Sequence, residues 1–457
     1  MGAAMRSEME SGRAAARALL SGARAGFGGV RPPGLPGAWT AFDEEVRRVH
    51  SRSYPPPPGT RLETRLCDPD GHVREAALRD PKAPLPLVAI RCADWVPAVR
   101  DLARQVLAGA LAADPGRTLT ALVPLVLRLG RREQGGWALE LFDTALRAQE
   151  PVLAPWARPA RPARWGRPAR PARTLTGEVP DTVMAWLRRS GDLQVRRYAA
   201  RLTLESGQFG VRELARRAAA ESDPLTSRLW AEAAMAAMAA MAADGPDGGP
   251  DDGAIDTLLG GHVPMVRACG VTALRRAGRA AEAARHLTDR SALVRACARW
   301  AVKQAGGDPY ALCRELIEDP ERVFPYAVTG FAECAGRADA PLLRALLDHP
   351  AGAVRAAALA GLRPLEGPVG VERLLPLLDD PSASVAREAA LCLLSSAVRL
   401  DAAPLEARLG PDRPAHTRRA AFRLLRARGG AAAVRASRAL ARDPDPALRA
   451  LARGPGG

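Results

Sequence analysis

Six arginines near the C-terminus are spaced so that their guanidinium groups can act together. Arg419, Arg423 and Arg426 fall at i, i+4 and i+7; Arg435, Arg438 and Arg442 fall at i, i+3 and i+7. Each trio therefore lies along one face of a helix. Guanidinium forks in a row bind carboxylates or phosphates through charge-assisted hydrogen bonds. These six are the candidate partner-binding residues. A protein or peptide is the first expectation for the partner. Nucleic acid is the alternative, and its binding through such a surface would be steeply salt-dependent. The plainer reading is a solvated cap, because the terminal unit of a stacked array needs a polar outer face.

Other reactive side chains are scattered. His50, His72, His262, His286, His349 and His416 are followed by Ser, Val, Val, Leu, Pro and Thr, so the sequence contains no His-Glu pair that could ligate iron. His72, His262, His349 and His416 fall in turns, where structural hydrogen bonding is the ordinary role. The seven cysteines (Cys67, Cys92, Cys269, Cys297, Cys313, Cys334, Cys392) lie mostly inside expected helices, and their number is odd. Small apolar packing in a reducing compartment explains them better than disulfides or a metal. The Asp244–Asp252 stretch departs from the calcium-loop spacing and lacks its closing glutamate. Met235, Met238 and Met241 read as core packing. Trp39 and Asp43 have a suggestive spacing but precede the repeats described below. With no Gly-rich phosphate loop, no G-x-S-x-G and no Cys-x-x-Cys, the expectation is a non-enzymatic chain without cofactor or metal.

What positions these residues is a repeat. Val-Arg recurs at Val73-Arg74, Val99-Arg100, Val195-Arg196, Val266-Arg267, Val294-Arg295 and Val354-Arg355. Degenerate copies occur at Leu229, Tyr326, Ala386-Arg387, Thr417-Arg418 and Leu448-Arg449. From Arg267 the matching positions are 267, 295, 326, 355, 386, 418 and 449, steps of 28 to 32 residues. A period of that length marks a solenoid, in which each unit buries its apolar face against its neighbours. In one unit Asp348 and Pro350 supply helix-start chemistry, and Val354, Ala357, Ala358 and Leu362 form one helical face. Val371, Leu374, Leu375 and Leu378 then form the stripe of a second helix, which ends at Asp379-Asp380-Pro381. Aromatic residues are only 4% and no β-branched alternation is found. The fold class is therefore all-α, an α-solenoid of about eleven stacked helix pairs.

The segments Leu66-Cys67-Asp68-Pro69-Asp70-Gly71-His72-Val73-Arg74 and Leu287-Thr288-Asp289-Arg290-Ser291-Ala292-Leu293-Val294-Arg295 carry a resemblance. The repeat resembles the HEAT-like family named for phycobilisome lyases, over roughly residues 61–110 and 185–453, of the kind found in bacteria with GC-rich genomes. That resemblance implies a scaffold or adaptor fold, and a structural ladder between turn aspartates and motif arginines. In this chain the ladder would comprise Asp68, Arg74, Asp94, Arg100, Arg196, Arg267, Asp289, Arg295, Asp348 and Arg355. Fold does not fix function, and lyase or hydroxylase chemistry has no further support in these residues.

Charge and composition divide the chain. Of the 66 basic residues only Lys82 and Lys303 are lysine, and the formal net charge is +16. The surplus sits in two places: residues 151–173, with six arginines and no acid, and residues 408–457, with twelve arginines and three acids. The expected organisation is an irregular N-terminal segment at 1–60 with one short helix near Phe42–Val49, and repeats at 61–150. An Arg/Pro/Ala-rich linker follows at 151–176, then a second solenoid at 177–453 interrupted by an Asp/Gly loop at 244–253. No run is long and apolar enough for a membrane span and no export signal precedes the repeats, so a cytoplasmic location is expected.

Overall fold

The computed structural model describes residues 3–20, 36–50, 61–147, 181–243, 251–319, 323–367 and 369–453. Among them every regular element is a helix. The chain divides into two compact units, Met1–Ala254 and Ile255–Gly457. The Arg/Pro/Ala-rich linker at 151–176 lies outside the described residues, as does most of the 244–253 loop.

In the first unit the N-terminal segment departs from expectation. It holds two helices, α1 (Ala3–Leu20) and α2 (Pro36–His50). α2 buries Ala38, Trp39, Phe42 and Val46 on one side. Its crossing with α1 is close: a Cβ at Gly12 would lie 2.0 Å from the Ala38 carbonyl oxygen, so only glycine fits there. The 28–37 and 55–58 proline and glycine runs around α2 read as irregular chain, which is why only a short helix is expected there.

Then come α3 (Leu62–Leu66), α4 (Gly71–Leu78), α5 (Leu85–Arg91), α6 (Pro97–Ala113), α7 (Pro115–Leu129) and α8 (Gly136–Arg147). Beyond the linker, α9 (Asp181–Arg188), α10 (Leu193–Ser206), α11 (Val211–Ala220) and α12 (Pro224–Ala243) complete the unit. Aspartates start several of these helices, as at Asp70, whose carboxylate accepts from His72 N at 2.8 Å. The two repeat blocks pack directly on one another. The Tyr198 hydroxyl donates to Asp143 at 2.6 Å, and Arg147 pairs with Glu205 at 2.7 Å. Both blocks fall in the first unit, and the chain divides between Ala254 and Ile255, within α13.

The second unit contains most of α13 (Asp252–Leu259), then α14 (Pro264–Arg276), α15 (Ala292–Gln304), α16 (Pro309–Glu318), α17 (Pro325–Ala332) and α18 (Ala340–Ala345). It continues with α19 (Gly352–Leu362), α20 (Val371–Leu374), α21 (Ala383–Leu393), α22 (Ala402–Glu406), α23 (Ala415–Arg428), α24 (Gly430–Leu440) and α25 (Pro446–Arg453). The motif helices form one layer, with α14 on α15, α17 on α19, α19 on α21 and α21 on α23. Close approach depends on small residues: a Cβ at Gly330 would sit 2.5 Å from the Leu287 carbonyl oxygen. The second layer is less regular than the apolar stripes imply. α20 stops at Leu374 and the chain tightens into a 3₁₀ turn at Pro376–Asp379, because Pro376 has no N–H to continue the ladder. Leu374 and Leu378 are nevertheless buried, as their spacing predicts.

Candidate functional site

The motif arginines face inward, and their geometry repeats. Arg74 Nη1 donates to the carbonyls of Asp68 at 2.6 Å and Pro69 at 2.8 Å, at the start of its own unit. Its Nε and Nη2 grip the Asp94 carboxylate of the next turn at 3.0 and 2.8 Å. Arg267 does the same with Gly261, His262 and Asp289, and Arg355 with His349, Pro350 and Asp380. Arg418 reaches Asp443 at 3.1 Å. The turn aspartate is a node. Its carboxylate takes the arginine of the preceding unit and its own i+2 N–H, as Asp94 does with Val96 N. Its carbonyl takes the arginine six residues on: Asp94 from Arg100 at 3.0 Å, Asp289 from Arg295 at 2.6 Å. A buried guanidinium is tolerable only when its N–H groups are engaged in this way. Arg74 is completely buried, with the ring of Trp95 4.5 Å from its guanidinium carbon.

Two ladder assignments need correction. Asp348 is exposed and pairs with Arg373 at 2.6 Å. The node six residues before Arg355 is His349, whose Nδ1 accepts from Ala351 N at 3.0 Å. No carboxylate is needed there, because Tyr326 stands where the preceding unit would carry its arginine. Arg196 keeps the lower half of the motif, donating to Ser190 O at 2.8 Å, but Arg197 makes the fork to Asp223, at 2.9 and 2.7 Å. The fork holds Asp223 well below the usual carboxylate range, with bonds from Thr226 adding to the effect. Arg295 also differs, gripping Glu333 in place of an aspartate. Ala386 occupies the motif position of its unit, and there His416 Nε2 lies 3.0 Å from the Asp380 carbonyl.

At the N-terminal end the ladder is continued by α2, which precedes the repeats expected at 61–150. His50 Nδ1 lies 3.4 Å from Asp68, filling the place of a preceding arginine. Asp43 meets Arg91 at 2.5 Å and Arg47 at 3.1 Å. Burial pushes the Asp43 carboxyl up, and Arg47 opposes the shift. Trp39 and Asp43 are both buried, so their spacing serves packing and ion pairing.

The six candidate arginines all lie on exposed faces of α23, of α24 and of the turn after it. Arg435 pairs with Glu406 at 2.7 Å, and Arg426 lies 5.8 Å from the Phe422 ring. Arg419, Arg423, Arg438 and Arg442 have no ion pair among the described residues. A second exposed group was missed by the sequence reading. Leu293 and Phe324, one repeat step apart, are 42% and 41% exposed at the starts of α15 and α17, and Tyr326 is 46% exposed. The signal for Leu293 and Phe324 is an apolar residue two places before the motif position, while Tyr326 occupies that position itself.

No family model matches the chain, and no curated protein matches it. Among solved structures it is similar to a chain in the structure of Kap95p with RanGDP, at 12% identity and a TM-score of 0.30. That match covers 96% of this chain and 60% of the other, so this chain spans about three-fifths of that one's length. A likeness of this size carries no argument about binding or activity.

The remaining candidate groups are local. Among the described residues no three His, Cys, Asp or Glu side chains are placed to hold a metal ion, and no helix is long and apolar enough to cross a membrane. The cysteines are free thiols; Cys67, Cys92 and Cys313 are buried. The thiols of Cys313 and Cys334 are in hydrogen-bond contact, which lowers Cys334 to about 7. Met238 is buried but Met241 is exposed, so the methionine spacing is only partly core.

Proposed function

We propose that the chain is a non-enzymatic scaffold or adaptor of the HEAT-like kind, binding a protein or peptide along its exposed helical surface in the cytoplasm. The observation that carries this reading is the apolar pair Leu293 and Phe324, exposed at matching places on successive units, with exposed Tyr326 beside Phe324 in the second. Exposed apolar side chains in register are what an extended partner can bury. The motif arginines are occupied internally, so they are left out of the binding surface. Free thiols at all seven cysteines suit a reducing compartment. The test is affinity capture from native lysate with and without nuclease, repeated with Leu293→Asp combined with Phe324→Asp. A partner that survives nuclease and is lost from the double variant supports the scaffold. A partner indifferent to both changes defeats this surface.

The alternative is nucleic-acid binding through the basic C-terminal repeats and the arginine-rich linker. Its support is the set of exposed arginines on α23 and α24, four of them without an ion pair among the described residues. Charge reversal at Arg435, Arg438 and Arg442 would then abolish retention on nucleic acid at low salt. Absence of any retention by the unaltered chain at low salt rules it out.

A further inference from the structure

Two thiols meet where α16 packs on α17. The rings of Tyr310 and Phe331 lie 5.9 Å apart across this junction, and the Tyr310 hydroxyl donates to Asp339 at 2.7 Å. Cys313 follows Tyr310 by three residues, and Cys334 follows Phe331 by three. The register that brings the rings together therefore brings the two sulfurs together as well, since residues three apart share a helix face. Cys334 is fixed just past the last residue of α17, where its N–H donates to the Phe331 carbonyl at 2.8 Å.

The two thiols are not equivalent. Cys313 is 1% exposed, whereas Cys334 is partly open to solvent. The Cys313 thiol donates to Cys334, and this bond, with the Arg299 guanidinium nearby, lowers Cys334 to about 7. A helix C-terminus by itself disfavours a thiolate, so these two neighbours outweigh it. The adjacent Glu333 carboxylate is taken up by Arg295 at 3.0 Å and by Arg299. Cys313 is held protonated, chiefly by the same bond to Cys334 and further by its burial. An accessible sulfur with thiolate character beside a protected second sulfur is the arrangement that reacts with peroxide and then resolves to a disulfide.

We propose that Cys334 and Cys313 form a hydroperoxide-responsive dithiol, which closes to a disulfide between α16 and the end of α17. The Cys334 thiolate attacks one oxygen of hydrogen peroxide. An S–O bond forms, the O–O bond breaks, and the departing hydroxide takes a proton from solvent to leave as water. Cys334 is then a sulfenic acid, and the negative charge that held Cys313 protonated is gone. The Cys313 sulfur attacks Cys334; the S–S bond forms, the S–O bond breaks, and the hydroxide carries off the Cys313 proton as a second water. Two thiols are oxidised to one disulfide, and both peroxide oxygens are reduced to water. The ring so closed contains Phe324 and Tyr326, so oxidation ties together the two ends of the segment that bears them. This inference stands independently of the scaffold reading.

The test is titration of the fully reduced chain with hydrogen peroxide, followed by blocking of free thiols and peptide mass spectrometry. At equimolar peroxide the expected product is one intramolecular Cys313–Cys334 disulfide, reversed by dithiothreitol. It should form at least about tenfold faster than Cys269, Cys297 or Cys392 is oxidised. Cys313→Ser is expected to stop at a Cys334 sulfenic acid that dimedone traps, and to pass on to sulfinic acid at higher dose. Cys334→Ser leaves Cys313 reduced, and Cys392→Ser leaves the disulfide unchanged. Far-UV circular dichroism checks that each variant is folded, and the unaltered chain decides the matter should one fail to fold. Sulfinic acid at Cys334 without the disulfide, a disulfide from either sulfur to another cysteine, or oxidation of Cys334 no faster than of Cys392 each overturn the proposal.

Discussion

Arg267 and Asp289, twenty-two residues apart, meet as fork and carboxylate with bonds of 2.9 and 2.8 Å. The same carboxylate accepts Ser291 N at 2.7 Å. Burial works to raise the Asp289 pKa, yet the Arg267 and Ser291 bonds hold it below its ordinary value. Replacing Asp289 with Ala strands a largely buried guanidinium. The expected loss is about 3 kcal/mol in urea unfolding, with Asp289→Asn milder. A loss near zero would mean that the ladder is ornamental to stability.

Acid should weaken the fold through these carboxylates. Asp223, Asp289 and Glu333 are all held below their ordinary values. A carboxylate depressed in the folded state contributes stability fully above its unfolded pKa, about 4, and loses it as pH falls toward the folded value. The urea midpoint is therefore expected to be steady from pH 7 to 5 and to fall below about pH 4. Arg197→Gln should remove the Asp223 share of that slope.

Cys334 should be the most reactive thiol. The Cys313 thiol donates to it and Arg299 lies nearby, which together lower it to about 7, while Cys313 is pushed up. Iodoacetamide labelling followed by mass spectrometry is expected to modify Cys334 first, with a rate midpoint near pH 7. Cys313→Ala should move that midpoint upward. An unchanged midpoint would show that the two thiols are not in contact.

The N-terminal helices should behave as part of the first unit. Phe42 is fully buried, and Phe42→Ala is expected to lose about 3–5 kcal/mol. Thermal unfolding of that variant checks the point. Unchanged stability would place α2 outside the cooperative core.

Much of this architecture is legible in the sequence because the Val-Arg period and the aspartate turns report on contacts repeated in every unit. Arg74, Arg267 and Arg355 sit where that period puts them. Legibility fails where a unit departs from the average. Asp348 looks like the turn residue because it is an aspartate, but the node is set by counting six back from Arg355, which gives His349. Arg197 replaces Arg196 by a shift of one residue, which the period cannot detect when both are arginine. α1 carries no motif, and α2 is expected only as a short helix near Phe42–Val49; their packing shows their full extent.

Tyr326 and Ala386 stand at motif positions without a cation, and the second unit inherits a pattern from them. Ionic links join α14 to α17 through Asp289 and Glu333, α19 to α21 through Asp380, and α23 to the turn before α25 through Asp443. At the two substituted steps the buried motif link is replaced by the solvent-exposed pairs Arg373–Asp348 and Arg435–Glu406, which contribute little. Coupling between neighbours in a repeat array sets which segments open together. Amide hydrogen exchange in this unit should accordingly resolve three blocks with separate opening free energies, with their borders at the two substituted steps. The repeat that looks uniform in sequence is thus partitioned by two side chains into segments that can loosen one at a time.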